Sequence, residues 1–173
     1  MVNFVGAGPG GEDLITLRGA RLLGEADCII YAGSLVNPAL LKMAKEGCEI
    51  YDSAKMTLEE VIDVIKRVEM QGRMTVRLHT GDPCLYGAIR EQMDLLDELQ
   101  ISYEYIPGVS SFCGAAAAIN AEYTLPDVTQ TVIITRMEGR TPVPEKEKMH
   151  LLAQAGATMV IFLSSSLLDK VQE

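Results

Sequence analysis

Three observations predict an α/β protein built on a mostly parallel sheet with flanking helices. Short apolar, strand-like runs recur at 2–5, 28–31, 48–51, 73–79 and 102–106. Amphipathic helical patterns lie between them, and that alternation sets strands side by side with helices over both faces. The run at 73–79 also ends abruptly in Thr80-Gly81-Asp82-Pro83. A carboxylate on a tight turn at the carboxyl end of a buried strand stands where open α/β sheets bind ligands. Asp82 suits a cationic or hydroxyl-rich ligand better than a phosphate, which prefers backbone N–H groups.

Taken in order, the first strand runs straight into Gly6-Ala7-Gly8-Pro9-Gly10-Gly11, and Thr16 is the N-cap of the first helix. After the second strand, Asn37-Pro38 reads as an N-cap followed by proline at the first helical position. Thr57-Leu58-Glu59-Glu60 is a capping box, a hydroxyl with a glutamate three residues on. Behind it Leu58, Val61, Ile62, Ile65 and Val68 recur at helical spacing and make one apolar face. A further amphipathic helix is expected over 88–99, after the Asp82 turn. Ser110-Ser111 suit the cap of a helix over 112–120, whose alanine run at 115–118 predicts close helix–sheet packing.

A second unit begins near Asp127. Strands are expected at 131–135 and 158–163, joined by a polar stretch at 138–144 and a helix. The boundary falls at 125–129, giving an α/β domain over 1–125 and the start of another α/β domain over 126–173. One strand–helix–strand segment cannot cover both faces of a sheet, so the second domain reads as truncated.

Composition narrows the function classes. The 173 residues hold 48% hydrophobic and 23% charged residues, as in soluble globular proteins. A net charge of −9 argues against a nucleic-acid partner, which needs a basic face. No apolar run approaches the ~20 residues that span a bilayer. The N-terminus enters a strand with no basic leader. No membrane partner and a cytoplasmic location are therefore expected. Four scattered cysteines without a Cys-x-x-Cys pair, and two histidines, give no metal site. His79, at a strand end, is expected to be satisfied by hydrogen bonds.

Gly6, Gly8 and Gly11 match the dinucleotide fingerprint literally. That reading also wants an acid at the end of the second strand to hold a ribose. Ala32-Gly33-Ser34 stands there instead, and Pro9 removes an N–H from the phosphate cradle. The loop holds more glycine than a turn requires, which suits close approach of a flat ligand to the backbone.

Together these motifs resemble the tetrapyrrole methylases, which use S-adenosylmethionine. The similarity covers essentially the whole chain: GAGPGGEDLITLRG, YAGSLV after strand two, RLHTGDPCLYGAI after strand four, IPGVSS after strand five, and TQTVIITRMEGRTPVPE between the domains. HTGDPCLYGAIREQ and the interdomain stretch are most similar to the branch that methylates precorrin-4 or cobalt-precorrin-4 at carbon 11. Where many relatives have two glycines before the aspartate, this chain has Thr80-Gly81.

The resemblance implies a two-domain tetrapyrrole methylase-like fold, a homodimer, and a cofactor held in the cleft between the domains. It places S-adenosylmethionine, and its product S-adenosylhomocysteine, against Pro9, Thr80, Gly81, Asp82, Leu85, Ser110, Ser111 and Leu163. It implies a tetrapyrrole substrate, for which Gly8, Gly10, Ser34, Arg136 and Arg140 are candidate contacts, with Arg18 as a further candidate for its carboxylates. No residue identifies itself as a catalytic acid or base. The alternatives are another tetrapyrrole C-methyltransferase, acting on precorrin-2, precorrin-3 or uroporphyrinogen, and an inactive cofactor-binding fragment.

Overall fold

The computed structural model describes residues 1–139 and 141–172, with Ser34 through its backbone only. It divides into two compact units, Met1–Ala115 and Ala116–Glu173. The first holds a five-stranded sheet in the order β3-β2-β4-β1-β5, built from β1 (Val2–Gly6), β2 (Cys28–Tyr31), β3 (Glu49–Asp52), β4 (Thr75–His79) and β5 (Tyr103–Ile106). All four neighbouring pairs are parallel, and Gly6 registers with His79.

Each face of this sheet has its own core. Val5, Ile29, Val76, Leu78 and Ile106 meet Leu22 and Leu23 of α1 (Leu17–Glu25) and Leu40 of the 3-10 turn Pro38–Met43. On the other face Val2, Phe4, Cys28 and Ile30 pack on Val61, Ile62, Ile65 and Val68 of α2 (Leu58–Met70) and Leu96 of α3 (Arg90–Glu98). Each fully buried side chain of this size contributes about 1.5–3 kcal/mol. The caps follow the sequence. Thr16 Oγ1 accepts from the Gly19 N–H at 3.1 Å, and Thr57 and Glu60 form the reciprocal capping box. Asn37 caps as expected, but only a short 3-10 turn follows it.

The helix expected from residue 88 starts at Arg90 instead, because Ala88 sits in the left-handed region at φ 49° and cannot continue a right-handed turn. The alanine run lies in α4 (Ser111–Ile119), which buries no residue; Ala115, Ala117 and Ala118 are exposed, so it is not a packing seam. Its tight contact is one residue earlier, at Gly114 against Pro9.

β4 is buried along its whole length, yet it carries Arg77. The guanidinium donates to Gln92 Oε1 at 2.9 Å, the Ile30 carbonyl at 2.9 Å and Ser53 Oγ at 3.0 Å. Burial lowers its pKa to about 10. It ties the central strand to β2, to α3 and to the turn after β3.

In the second unit β6 (Val132–Arg136) and β7 (Thr158–Phe162) form a parallel two-stranded sheet. Between them lie the 3-10 turn Glu145–Glu147 and the short α5 (Met149–Ala153), and α6 (Leu168–Gln172) follows β7. Among the described residues no helix is long and apolar enough to cross a membrane.

Candidate functional site

The connection after β1 leads to α1 on one face of the sheet, while that after β4 leads to α3 on the other. These neighbouring strands therefore diverge at their carboxyl ends, and such a switch point opens a crevice for ligands. The glycine loop and the Asp82 turn meet there. Gly8 and Gly81 form an antiparallel bridge, with Gly81 N–H donating to Gly8 O at 3.0 Å and Gly8 N–H to Gly81 O at 3.2 Å. Ala7 N–H donates to the His79 carbonyl at 2.7 Å.

The loop after β5 closes onto the same point. A Cβ on Gly108 would lie 2.1 Å from Gly81 O and 2.8 Å from Gly6 Cα. A Cβ on Gly6 would lie 2.5 Å from Gly108 Cα. Only glycine fits where three backbone segments touch. Gly81, at φ 58°, also lies beside Ser110 and Ser111, whose backbone atoms would stand 3.3–3.4 Å from an added Cβ. Across the loop, a Cβ on Gly114 would lie 2.5 Å from Pro9 Cβ, so the start of α4 fixes the proline.

The Asp82 carboxylate is the polar centre of this crossing. Its Oδ1 accepts from the Tyr105 hydroxyl and from the Cys84 N–H at 2.9 Å; its Oδ2 accepts from the Gly108 N–H at 3.0 Å. Burial works to raise its pKa, but the hydrogen bonds from Tyr105, Cys84 and Gly108 outweigh that and hold it below the usual carboxylate value. Burial, and then Asp82 and Cys84 beside it, raise the Tyr105 phenol.

Pro9, Thr80, Gly81, Asp82, Leu85, Ser110 and Ser111 all lie on these three converging loops of the first unit, with Leu85 N–H donating to the Asp82 carbonyl at 3.2 Å. Gly8 is in the bridge itself. Gly10 is on the loop's exposed rim, its carbonyl accepting from Asn37 Nδ2 at 2.7 Å. Leu163 and Arg136 belong to the second unit. Leu163 is exposed at φ 55° just after β7. Arg136 donates to the carbonyls of Thr141 at 3.1 Å and Pro142 at 3.0 Å. It lines an open cavity of about 670 Å³ together with Lys148, His150 and Lys170. The Ser34 side chain and Arg140 lie outside the described residues. Arg18 is engaged elsewhere, in an exposed ion pair with Glu104 at 2.5 Å.

His79 corrects the expectation of a satisfied side chain. It is 4% exposed, stacked on Phe4 at 6.1 Å, and its Nε2 has no hydrogen-bond partner. Burial, with Arg77 nearby, lowers its pKa to about 3, so it is neutral. The sequence reading missed Tyr105, Gly108 and Gly114. Gly108 had a signal, since it stands just past the end of β5 much as Gly6 closes β1; Tyr105 read only as part of β5.

The sequence model for tetrapyrrole (corrin/porphyrin) methylases matches residues 1–173. The chain belongs to this family. It is 58% identical over 170 residues to the cobalt-precorrin-4 C(11)-methyltransferase of Methanocaldococcus jannaschii, covering 98% of this chain and 66% of that protein. Against the enzyme of the same name from Priestia megaterium the identity is 51%, with the same coverage. A solved cobalt-precorrin-4 methyltransferase, described as a cobalamin biosynthetic enzyme, superposes with a TM-score of 0.95 at 51% identity, over 98% of this chain and 71% of that one. The chain thus spans about two thirds of the length of the curated relatives it matches.

Proposed function

We propose that this methylase-family chain acts in the S-adenosylmethionine-dependent methylation of cobalt-precorrin-4, or precorrin-4, at carbon 11 during cobalamin biosynthesis. The observation that carries the reading is the crossing of three glycine-bearing loops at the β1/β4 switch point. It occurs in a chain 58% identical to a protein of that name. The family resemblance supports a homodimer in the cytoplasm with no nucleic-acid or membrane partner.

The residues fit the cofactor. A backbone-lined crossing lets a flat ligand lie on peptide groups. The Asp82 carboxylate, held charged at the crossing, suits a ligand hydroxyl or amine. When bound, S-adenosylmethionine supplies a methyl group activated on its sulfonium, which a ring carbon takes in an in-line displacement as the thioether leaves. The chain's contribution is then alignment and exclusion of water, which in favourable cases lower a barrier by about 7–11 kcal/mol. Pro9, wedged on Gly114, and the Thr80–Gly81–Asp82 turn supply fixed surfaces for that alignment. This chemistry needs no nucleophilic triad.

Calorimetric titration with S-adenosylhomocysteine and with NADH tests the reading. Binding of the thioether and none of the dinucleotide is expected. Binding of NADH alone would overturn it. Methyl transfer to uroporphyrinogen in preference to cobalt-precorrin-4 would move the chain to another branch of the family.

A further inference from the structure

We propose that Tyr105 is a positioning residue that acts through Asp82, latching the turn after β4 to the loop after β5 in the shape the methyl-donor site requires; this rests on the methyltransferase reading. The turn is not held by its own conformational preference. Gly81, Tyr86 and Ala88 all lie in the left-handed region, at φ 58°, 58° and 49°. Two of them carry a side chain, and such residues persist only where the surroundings over-determine them.

At the end of this turn Gln92 Nε2 donates to the Ala88 carbonyl at 3.0 Å; at its start the holder is the Asp82 carboxylate. It gathers the Cys84 N–H within the turn and the Gly108 N–H from the neighbouring loop. The Cys84 thiol adds a weak donor, and Tyr105 supplies the strong side-chain donor. The Tyr105 ring packs on the α2–α3 face of the core, so its hydroxyl is delivered from a rigid base. Tyr105 thereby joins the core to the carboxylate, and the carboxylate sets the spacing between Gly81 and Gly108. There the backbones already touch, and a small displacement would close or open the surface presented to a ligand.

Among the described residues, the ionisable side chains that bond to Asp82 are Tyr105 and Cys84. Removing the phenol hydroxyl lets the carboxylate rise toward its ordinary value. A residue that only filled space would leave that titration unmoved.

The test compares wild type with Tyr105→Phe, Asp82→Asn and the double variant. Affinity for S-adenosylhomocysteine is measured by calorimetry from about pH 2.5 to pH 6, a window that brackets the ordinary aspartate value of about 3.9. Amide hydrogen exchange is followed at Cys84 and Gly108. For Tyr105→Phe we expect unchanged secondary structure, roughly tenfold weaker binding, an acid limb moved to higher pH, and faster exchange at both amides, since a charge-assisted hydrogen bond is lost. In the double variant the two losses should fall short of multiplying. Unchanged affinity, pH profile and exchange in Tyr105→Phe would overturn the proposal. If wild type binds no thioether, the methyl-donor reading fails. Exchange then decides the latch by itself: loss of protection at Cys84 and Gly108 supports it, and unchanged protection removes it.

Discussion

β4 in the first unit and β7 in the second are both five-residue strands rich in β-branched side chains, yet β4 is buried at every position and β7 at none. The contrast runs against hydrophobicity, since β4 hides Arg77 and His79 while β7 leaves Met159, Val160, Ile161 and Phe162 partly open. The cause is layering. β4 lies between β1 and β2 with helices over both faces, whereas β7, among the described residues, pairs with β6 and is flanked in sequence by short helices. Among the described residues, every buried apolar side chain belongs to the first unit. Burial is conferred by neighbours on both sides of a strand, and a sheet of two strands supplies few of them.

The widest separation of the two units should come from side-chain truncation. Leu23→Ala removes a fully buried side chain and is expected to cost about 2–5 kcal/mol. Leu168→Ala, in the second unit and 63% exposed, should stay within about 0.5 kcal/mol. Urea denaturation of both variants checks this, and equal losses would erase the contrast.

Glycine substitution sharpens it next. Gly108→Ala drives a Cβ into the Gly81 carbonyl, a backbone atom with little room to move, and should cost about 3 kcal/mol, the upper end for overpacking. It should also abolish binding of S-adenosylhomocysteine. Gly139→Ala meets nothing within 4 Å, and its denaturation midpoint should not move. A normal titration by Gly108→Ala would show that the crossing is looser than its contacts.

The smallest expected effect is set by pH. His79 has its pKa lowered to about 3 in the folded state, against about 6.5 unfolded, so the unfolded chain binds the extra proton between those values. Its contribution to stability is complete above about pH 6.5 and is lost as pH falls toward 3. Between pH 7 and pH 5 the loss should be about 2 kcal/mol, and His79→Phe should flatten it. Among its described residues the second unit buries no ionisable group, so exchange at β7 amides should show no matching dependence. An unchanged slope in His79→Phe would assign the acid sensitivity elsewhere.

Much of the first unit was legible because its signals are local. Thr57 with Glu60, Thr16 before its helix, and the apolar, strand-like runs each act within a few residues. The Asp82 turn was legible for the same reason, as a strand stopping at Gly-Asp-Pro. What the Asp82 carboxylate binds was not, since Tyr105 and Gly108 lie beyond the intervening α3 and reach it only through the β1–β5 pairing. Ala88 misled for a physical reason: alanine favours helix by propensity, but here the turn holds it at positive φ. The alanines of α4 misled similarly, because small side chains permit close packing without requiring it. The unpaired Nε2 of His79 could not have been read from the sequence, since a missing hydrogen bond is a property of surroundings that no spacing records.

The meeting of Gly6, Gly81 and Gly108 bears on how selectivity is divided in this molecule. A surface made of peptide groups offers the same donors and acceptors whatever the neighbouring side chains are, so it can recognise only what is common to every turnover. Discrimination among ring systems must be exercised by groups that vary. If the proposed methyl transfer holds, exchanging side chains around the rim changes which ring system is accepted and leaves the backbone surface as it is.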